Sequence, residues 1–371
     1  MKKVFIFSTL EIAPWGGSEQ MWSDAALKLS EMGNKVMTNT MEWPKLQDKL
    51  QQIKSKGGML SFRPNPHVKG SITDKAINKV KNYSWKKAVS SFDPDVILIS
   101  EGGAFDNAIM QHGNWLLSLN KPVYIMSQFL LEYEYIHTQR RNFFIDYFQK
   151  AKKIFFVSNR NKTVAERTIA RHIENAAVIK NPIKIKKTTE KYPDTDVYNI
   201  GVVARLESDV KGYDIIVETF AQPQWKDRNY CVNVYGSGPH EDYIKELVAF
   251  YGLQDKIIFR GFENDVVKIW DKNHMLLLPS RGEGTPLSLL EANYCKRAAV
   301  VTDVGGNAEV ITEGVNGFVA EAPVLACVSN AMERAWAKRD QWESMGLAAK
   351  QNIDKLYQTD AVEELIKEIS C

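Results

Sequence analysis

Two glutamates, an arginine and a lysine stand at spacings that suit an anionic ligand. Glu283 and Glu291 are separated by seven residues inside the stretch Pro279–Glu309, PSRGEGTPLSLLEANYCKRAAVVTDVGGNAE. Thr285 is a good helix cap and Pro286 suits a first helical position, so the spacing predicts a helix from Thr285-Pro286 onward. Glu283 would then lie on a loop and Glu291 about a turn and a half into the helix, near one ligand at different depths. The free N–H groups and the dipole of such a helix start favour an anion such as phosphate. Upstream, Arg205 and Lys211 fall in another expected strand-to-helix loop. Arg offers a planar fork and Lys a point charge, and both suit phosphate oxygens.

The elements that must position these residues read as alternating strands and helices. Apolar runs at Val4–Ser8, Lys35–Thr40, Asp95–Ser100, Pro122–Ser127, Lys153–Ser158 and Ala176–Ile179 predict strands buried on both faces. Amphipathic stretches after Glu19, over Asp74–Phe92, from Phe105 to Leu119 and over Asn159–Ile169 predict helices between them. Residues 41–72 read as less regular. The polar, lysine-rich Lys184–Asp196 reads as the linker. A second series follows, with strands at Val197–Ala204, Tyr230–Tyr235, Lys256–Arg260, 274–279 and Ala299–Thr302. Helices are expected at about 322–337, 340–355 and 360–369. Pro14–Glu19, with Gly16 and Gly17, is a loop at the carboxyl end of the first strand, where open α/β sheets bind ligands. Two adjacent glycines serve equally well as a plain structural turn. Gly236-Ser237-Gly238-Pro239 is not a dinucleotide fingerprint, because Glu241 replaces the third glycine.

The glutamate pair with Gly284-Thr285-Pro286 between, the Gly305-Gly306 turn, Arg205-Leu206 with Lys211-Gly212, the Gly16-Gly17 loop and Asn316-Gly317-Phe318-Val319 together resemble the retaining glycosyltransferases of family 4. The resemblance covers nearly the whole chain and is strongest over 200–320. It implies the GT-B architecture: an α/β fold with two Rossmann-like domains facing across a cleft, the C-terminal helices returning to the first. The expected domains are 1–184, joined by 355–371, on the acceptor side, and 197–354 for the nucleotide-sugar donor. It also implies roles. Arg205 and Lys211 hold the donor diphosphate, Glu283 contacts the transferred sugar, and Glu291 accepts from ribose hydroxyls. Gly16, Gly17, Phe262, Gly284, Thr285, Pro286 and Leu287 line the donor. Asn316–Val319 is expected as a hairpin-like segment. One departure stands out: the strand at 122–127 ends in Gln128, where many relatives carry a histidine near the reacting sugar. Gln128 can donate or accept a hydrogen bond but cannot act as a base. A non-catalytic sugar-nucleotide-binding or regulatory subunit, and an epimerase on the same scaffold, stay open.

Composition is ordinary for a globular protein of 371 residues, long enough for two domains. The net charge of +3 hides an asymmetry. Residues 1–190 carry 29 Lys+Arg against 17 Asp+Glu, or +12, and the remainder 19 against 28, or −9. A basic half fits an anionic acceptor or membrane surface, and it equally fits a solvated face. The lysines between Lys45 and Lys87, including Lys69, Lys75 and Lys79, carry much of that charge. The partners this implies are a nucleotide-sugar donor and a glycan, lipid-linked or protein acceptor, and no nucleic acid. No Asp-x-Asp metal motif is read in the sequence, so cations on the protein are expected to replace a divalent ion, and no metal and no other cofactor is expected. None of the four cysteines forms a C-x-x-C pair, and no run approaches the ~20 apolar residues of a membrane span. The start reads as a first strand and not as a signal peptide, which implies a cytoplasmic protein, in peripheral contact at most with the inner membrane face.

Overall fold

A computed structural model describes residues 1–65, 72–183, 185 and 187–370, with the side chains of 72–77 and 79 outside the description. Lys69 and Lys184, and the side chains of Lys75 and Lys79, therefore lie outside what is described. The chain divides into two compact units. The first comprises Met1–Leu130, Glu134–Pro182 and Thr359–Cys371, and the second Leu131–Tyr133 and Ile183–Gln358.

The first unit is built on a seven-stranded parallel sheet. Its order is Met59–Arg63, Lys35–Met41, Lys3–Ser8, Val96–Glu101, Val123–Ser127, Lys153–Phe156 and Ala176–Val178. Side chains alternate between faces along each strand, so Phe5, Ile97 and Ile99 enter one apolar layer and Val4, Ile6 and Leu98 the other. The helix Ala361–Ser370 closes the second layer. Its Ala361, Val362, Leu365, Ile366 and Ile369 are buried against the helix Glu19–Glu31, and Lys28 pairs with Glu363 at 2.5 Å.

The second unit repeats the plan with six parallel strands. The order is Ile257–Gly261, Tyr230–Tyr235, Tyr198–Val203, Met275–Leu278, Ala298–Thr302 and Gly317–Ala320. Both sheets are thus doubly wound. In each, the first strand lies between its successor on one side and a later strand on the other. The loops leaving the first strand and that later strand diverge, which opens a crevice at their carboxyl ends.

Four local expectations change. Residues 41–72 hold a helix, Asp48–Ser55, and the edge strand Met59–Arg63. The helix buries only Leu50 and Ile53, too little periodicity to register in the sequence. Thr138–Lys150, on which the sequence reading is silent, is a helix burying Phe144, Tyr147 and Phe148. Gly317–Ala320 is a parallel edge strand paired with Ala298–Thr302, not part of a hairpin. Finally, the segment expected as a linker is packed on the second unit. Thr189 is buried and its hydroxyl donates to the Cys295 carbonyl at 2.8 Å, while Arg297 Nη2 donates to the Lys191 carbonyl at 3.0 Å.

Candidate functional site

The switch point of the second unit gathers the candidate residues. Tyr198–Val203 and Met275–Leu278 are neighbours, and their loops carry Arg205 with Lys211 and Glu283 respectively. Lys211 Nζ donates to Glu283 Oε1 at 2.6 Å, with the two side chains 18% and 6% exposed. Arg205 Nη1 lies 3.6 Å from Glu207 Oε2.

Two further residues, which sequence reasoning missed, fasten these loops together. Arg281 forks onto Asp214, Nη1 to Oδ1 at 2.9 Å and Nη2 to Oδ2 at 2.6 Å, and Nη1 also donates to the Ser208 carbonyl. Burial raises the Asp214 pKa, but the Arg281 bonds outweigh it and hold the carboxyl below its usual value. The Arg281 N–H donates to the Val210 carbonyl, and His240 Nδ1 accepts from the Ser208 N–H. An arginine beside Glu283 was the available signal. Its partner, 67 residues upstream, had none.

Neighbouring turns are stitched to the same row. Gly236 N–H donates to the Gly261 carbonyl, Leu206 N–H to the Ser237 carbonyl, and Gly306 N–H to the Gly284 carbonyl at 2.5 Å. Gly305 has φ +52° and its missing Cβ would overlap the Glu283 and Gly284 backbone, so close approach of the two turns requires glycine. Gly212, at φ +68°, likewise leaves room for the Pro279 carbonyl.

The helix after Glu283 runs Leu287–Tyr294, one turn position later than expected. Pro286 is extended (φ −64°, ψ 131°) and occupies the cap position expected for Thr285. Proline has no N–H to leave unpaired, and its carbonyl accepts from the Leu289 and Leu290 N–H groups. Glu283, Gly284, Thr285 and Pro286 are buried, while Leu287 and Glu291 are half-buried on the helix. Phe262 is 73% exposed on the loop after the edge strand, at the same end of the sheet.

In the first unit the corresponding crevice lies between the ends of Lys3–Ser8 and Val96–Glu101. The loop with half-buried Gly16 and exposed Gly17 leads from one, and Glu101-Gly102-Gly103 from the other. Thr9 ties them, its hydroxyl donating to Asp106 and accepting from the Gly102 N–H at 3.0 Å. Gln128 is 5% exposed, and its Nε2 donates to the Ser18 carbonyl at 2.6 Å and to Ser100 Oγ at 3.3 Å. A buried charged group surrounds this crevice. Burial raises Glu19 to about 7, Asp106 to about 6, and Glu101 well above the usual carboxyl range. Burial also lowers Arg63 to about 10; its guanidinium lies 4.7 Å from the centre of the Phe7 ring.

Two Asp-x-Asp sequences do occur, Asp93–Asp95 and Asp194–Asp196. Both precede strands, so they lie at the end of each sheet opposite the candidate loops. Asp95 accepts from the Lys3 N–H and Asp93 pairs with Lys121. Among the described residues, no three His, Cys, Asp or Glu side chains are grouped to hold a metal ion.

Residues 183–352 match the family Glycosyl transferases group 1. That match spans the whole candidate site of the second unit. A poly(ribitol-phosphate) alpha-N-acetylglucosaminyltransferase of Staphylococcus aureus (strain COL) is 24% identical over 63% of this chain and 49% of its own length. A lipopolysaccharide core biosynthesis mannosyltransferase of Rhizobium leguminosarum is 36% identical over 30% of this chain and 33% of its own. The chain thus spans about half or less of those relatives. Among solved structures, Anabaena Alr3699/HepE in complex with UDP-glucose superposes with a TM-score of 0.74 at 15% identity, covering 99% of both chains. Sucrose-phosphate synthase from Thermosynechococcus elongatus gives 0.76 at 16% identity, over 100% of this chain and 98% of that one. These likenesses establish the fold: two Rossmann-like α/β units of the GT-B kind. The group 1 match places the Lys211–Glu283 pair inside the matched region.

Proposed function

We propose that this chain is a retaining glycosyltransferase of family 4. It moves a sugar from a nucleotide-diphosphate sugar to an acceptor hydroxyl in glycan, glycolipid or polysaccharide assembly. The observation that carries this reading is the meeting of Lys211 and Glu283 at a switch point, with Arg205 on the same loop as Lys211. A lysine beside a carboxylate at the carboxyl ends of parallel strands suits a ligand that is anionic at one end and rich in hydroxyls at the other.

As the glycosidic bond breaks, the leaving diphosphate gains negative charge. Arg205, Lys211 and the N–H groups at the start of Leu287–Tyr294 stabilise it, each preorganised donor being worth roughly 3–4 kcal/mol where such donors have been removed. Glu283 holds the transferred sugar and Glu291 the ribose hydroxyls. The acceptor attacks from the face the phosphate leaves, and its proton passes to the leaving phosphate oxygen. Arg205 and Lys211 do the work without a divalent ion. The basic first unit meets an anionic acceptor or an anionic membrane surface.

The deciding experiment is a panel of sugar nucleotides, with and without candidate acceptors, following released nucleoside diphosphate. UDP-sugars lead the panel, because a solved structure of similar fold holds UDP-glucose. Acceptor-dependent release from one donor is the expected result. Tight sugar-nucleotide binding with no release on any acceptor class would sink the transferase reading.

A further inference from the structure

We propose that Gln128 is a positioning residue that latches the glycine-rich loop of the first unit, and that it neither donates to the sugar nor moves a proton. The latch is a property of the fold. Its catalytic consequence rests on the sugar-transfer reading above.

The orientation of the amide is fixed by its partner. The Ser18 carbonyl can only accept, so the group facing it at 2.6 Å must be the nitrogen. The second N–H of the same nitrogen goes to Ser100 Oγ at 3.3 Å. The Gln128 backbone N–H donates to the Glu101 carbonyl at 3.2 Å. One nearly buried residue thus joins three segments: the end of Val123–Ser127, the end of Val96–Glu101, and the loop that enters the helix Glu19–Glu31. That loop is also held by side chains: the Trp15 ring lies 5.8 Å from that of Trp22, and the Ser8 hydroxyl donates to the Glu19 carboxyl at 2.8 Å. Ser18 stands at the helix cap in a helical conformation, and its own side chain makes no cap hydrogen bond. The Gly16 and Gly17 carbonyls accept from the Glu19 and Gln20 N–H groups, which closes the turn on itself. Gln128 adds a tie to the loop backbone itself, at the Ser18 carbonyl. Both of its N–H groups are spent on the protein, and what remains of the amide is one carbonyl oxygen, which can only accept. A residue so committed sets where the Gly16–Ser18 backbone lies for a ligand at the crevice.

The test uses Gln128→Met, of similar length and without donors, and Gln128→Glu, which is isosteric. Hydrogen exchange on the full chain without ligand should show the Glu19 and Gln20 amides about tenfold faster in Gln128→Met, the size expected for one lost hydrogen bond. Distant core amides should be unchanged. Exchange at wild-type rates would overturn the latch, whatever the protein's activity. With the donor found above, kcat should fall by about tenfold or more while KM changes little, because position and not affinity is lost. In Gln128→Glu the ionised carboxylate would face the Ser18 carbonyl and the loop would loosen at the high end of the pH range. Burial raises that carboxyl, so as pH falls it should protonate, donate to Ser18, and restore slow exchange and turnover relative to wild type at the same pH. A gain of activity in Gln128→Glu at high pH would mean the site wants a base there, and would overturn the proposal. If Gln128→Met does not fold, the two pH arms of Gln128→Glu decide it alone. If wild type transfers no sugar, the function fails and the exchange arms still judge the latch.

Discussion

Lys211 and Glu283 each satisfy the other before any ligand arrives. A donor diphosphate must therefore compete with Glu283 for the lysine. On the roles proposed above, Glu283→Ala should leave binding of free nucleoside diphosphate equal or tighter while transfer falls, since the lysine loses a competing carboxylate and the sugar loses its contact. Weaker nucleotide binding by calorimetry would contradict this arrangement. Lys211→Ala and Arg205→Ala should each lower turnover by about two to three orders of magnitude, by analogy with loss of one transition-state donor. A folded Arg205→Ala protein with a near-normal rate would remove that residue from the mechanism. Glu291→Ala should act on donor affinity instead, by roughly 1.5–3 kcal/mol for hydrogen bonds to a charged acceptor.

Glu19 carries a different prediction at this scale. Burial raises it from 4.5 to about 7, and the Ser8 hydroxyl and Arg63 only partly offset that cost. The native state therefore holds a proton that the unfolded chain has released. Its stabilising contribution is present in full below about pH 4.5 and is lost as pH rises through about 7. The change is on the order of 3 kcal/mol. Glu19→Gln has no such proton to lose, so its unfolding free energy should fall less steeply between pH 5 and 8 than that of wild type. Denaturant titrations with parallel pH dependence in the two proteins would show that Glu19 is not the group responsible.

At the scale of elements, the site depends on turns held in register by backbone contacts and one forked ion pair. Asp214→Asn weakens the fork that joins the Lys211 loop to the Glu283 loop. It should cost about 1.5–3 kcal/mol, as charge-assisted bonds do, and should raise KM for the donor and lower kcat together. Gly305→Ala strains a left-handed backbone and pushes on the Glu283 carbonyl. A loss of more than about 1 kcal/mol in stability is expected, together with loss of donor binding. Retention of both by Gly305→Ala would mean the turns have slack that their geometry denies.

For the whole molecule, the basic first half is partly neutralised within its own unit. Lys49 pairs with Asp24, Lys56 with Glu31 and Lys81 with Glu42, while Lys86 lies over the Trp85 and Trp115 rings. No described helix is long and apolar enough to cross a membrane. If these lysines meet an anionic lipid surface, the attraction is worth up to about 1 kcal/mol per basic residue near it. Binding to anionic but not neutral vesicles, lost at high salt and weakened by Lys87→Glu, is the expected outcome. Indifference to lipid charge, or no binding at low salt, would leave the lysines as a solubility feature. Activity should also survive chelation of divalent ions. Loss in chelator with recovery on magnesium or manganese would overturn the assignment of the diphosphate charge to Arg205 and Lys211.

The amino-acid sequence by itself determined the series of elements. Short apolar runs such as Val4–Ser8 and Met275–Leu278 read as strands covered on both faces, and the amphipathic stretches between them supply the cover. It also placed Arg205, Lys211 and Glu283 between a strand and the following helix, although Lys211 ends a one-turn helix, Ser208–Lys211, and Glu283 lies in a two-residue strand, Gly282–Glu283. Weak local signals were lost, as in Asp48–Ser55, where two buried side chains make no legible stripe. The start of the helix at Leu287 slipped past Pro286, because proline suits both the cap and the first turn. Tertiary structure alone decided the rest. Lys211 meets Glu283 across 72 residues because their strands are neighbours in the sheet, and strand order is set by long-range packing. Arg281 finds Asp214 for the same reason. Ala361, Leu365 and Ile369 announce an amphipathic helix, yet only the open face beside Glu19–Glu31 decides where it lies. Gln128 read as a replacement for a histidine. Its role as a latch depends on a carbonyl 110 residues away, and no local pattern encodes which partner a side-chain amide will face.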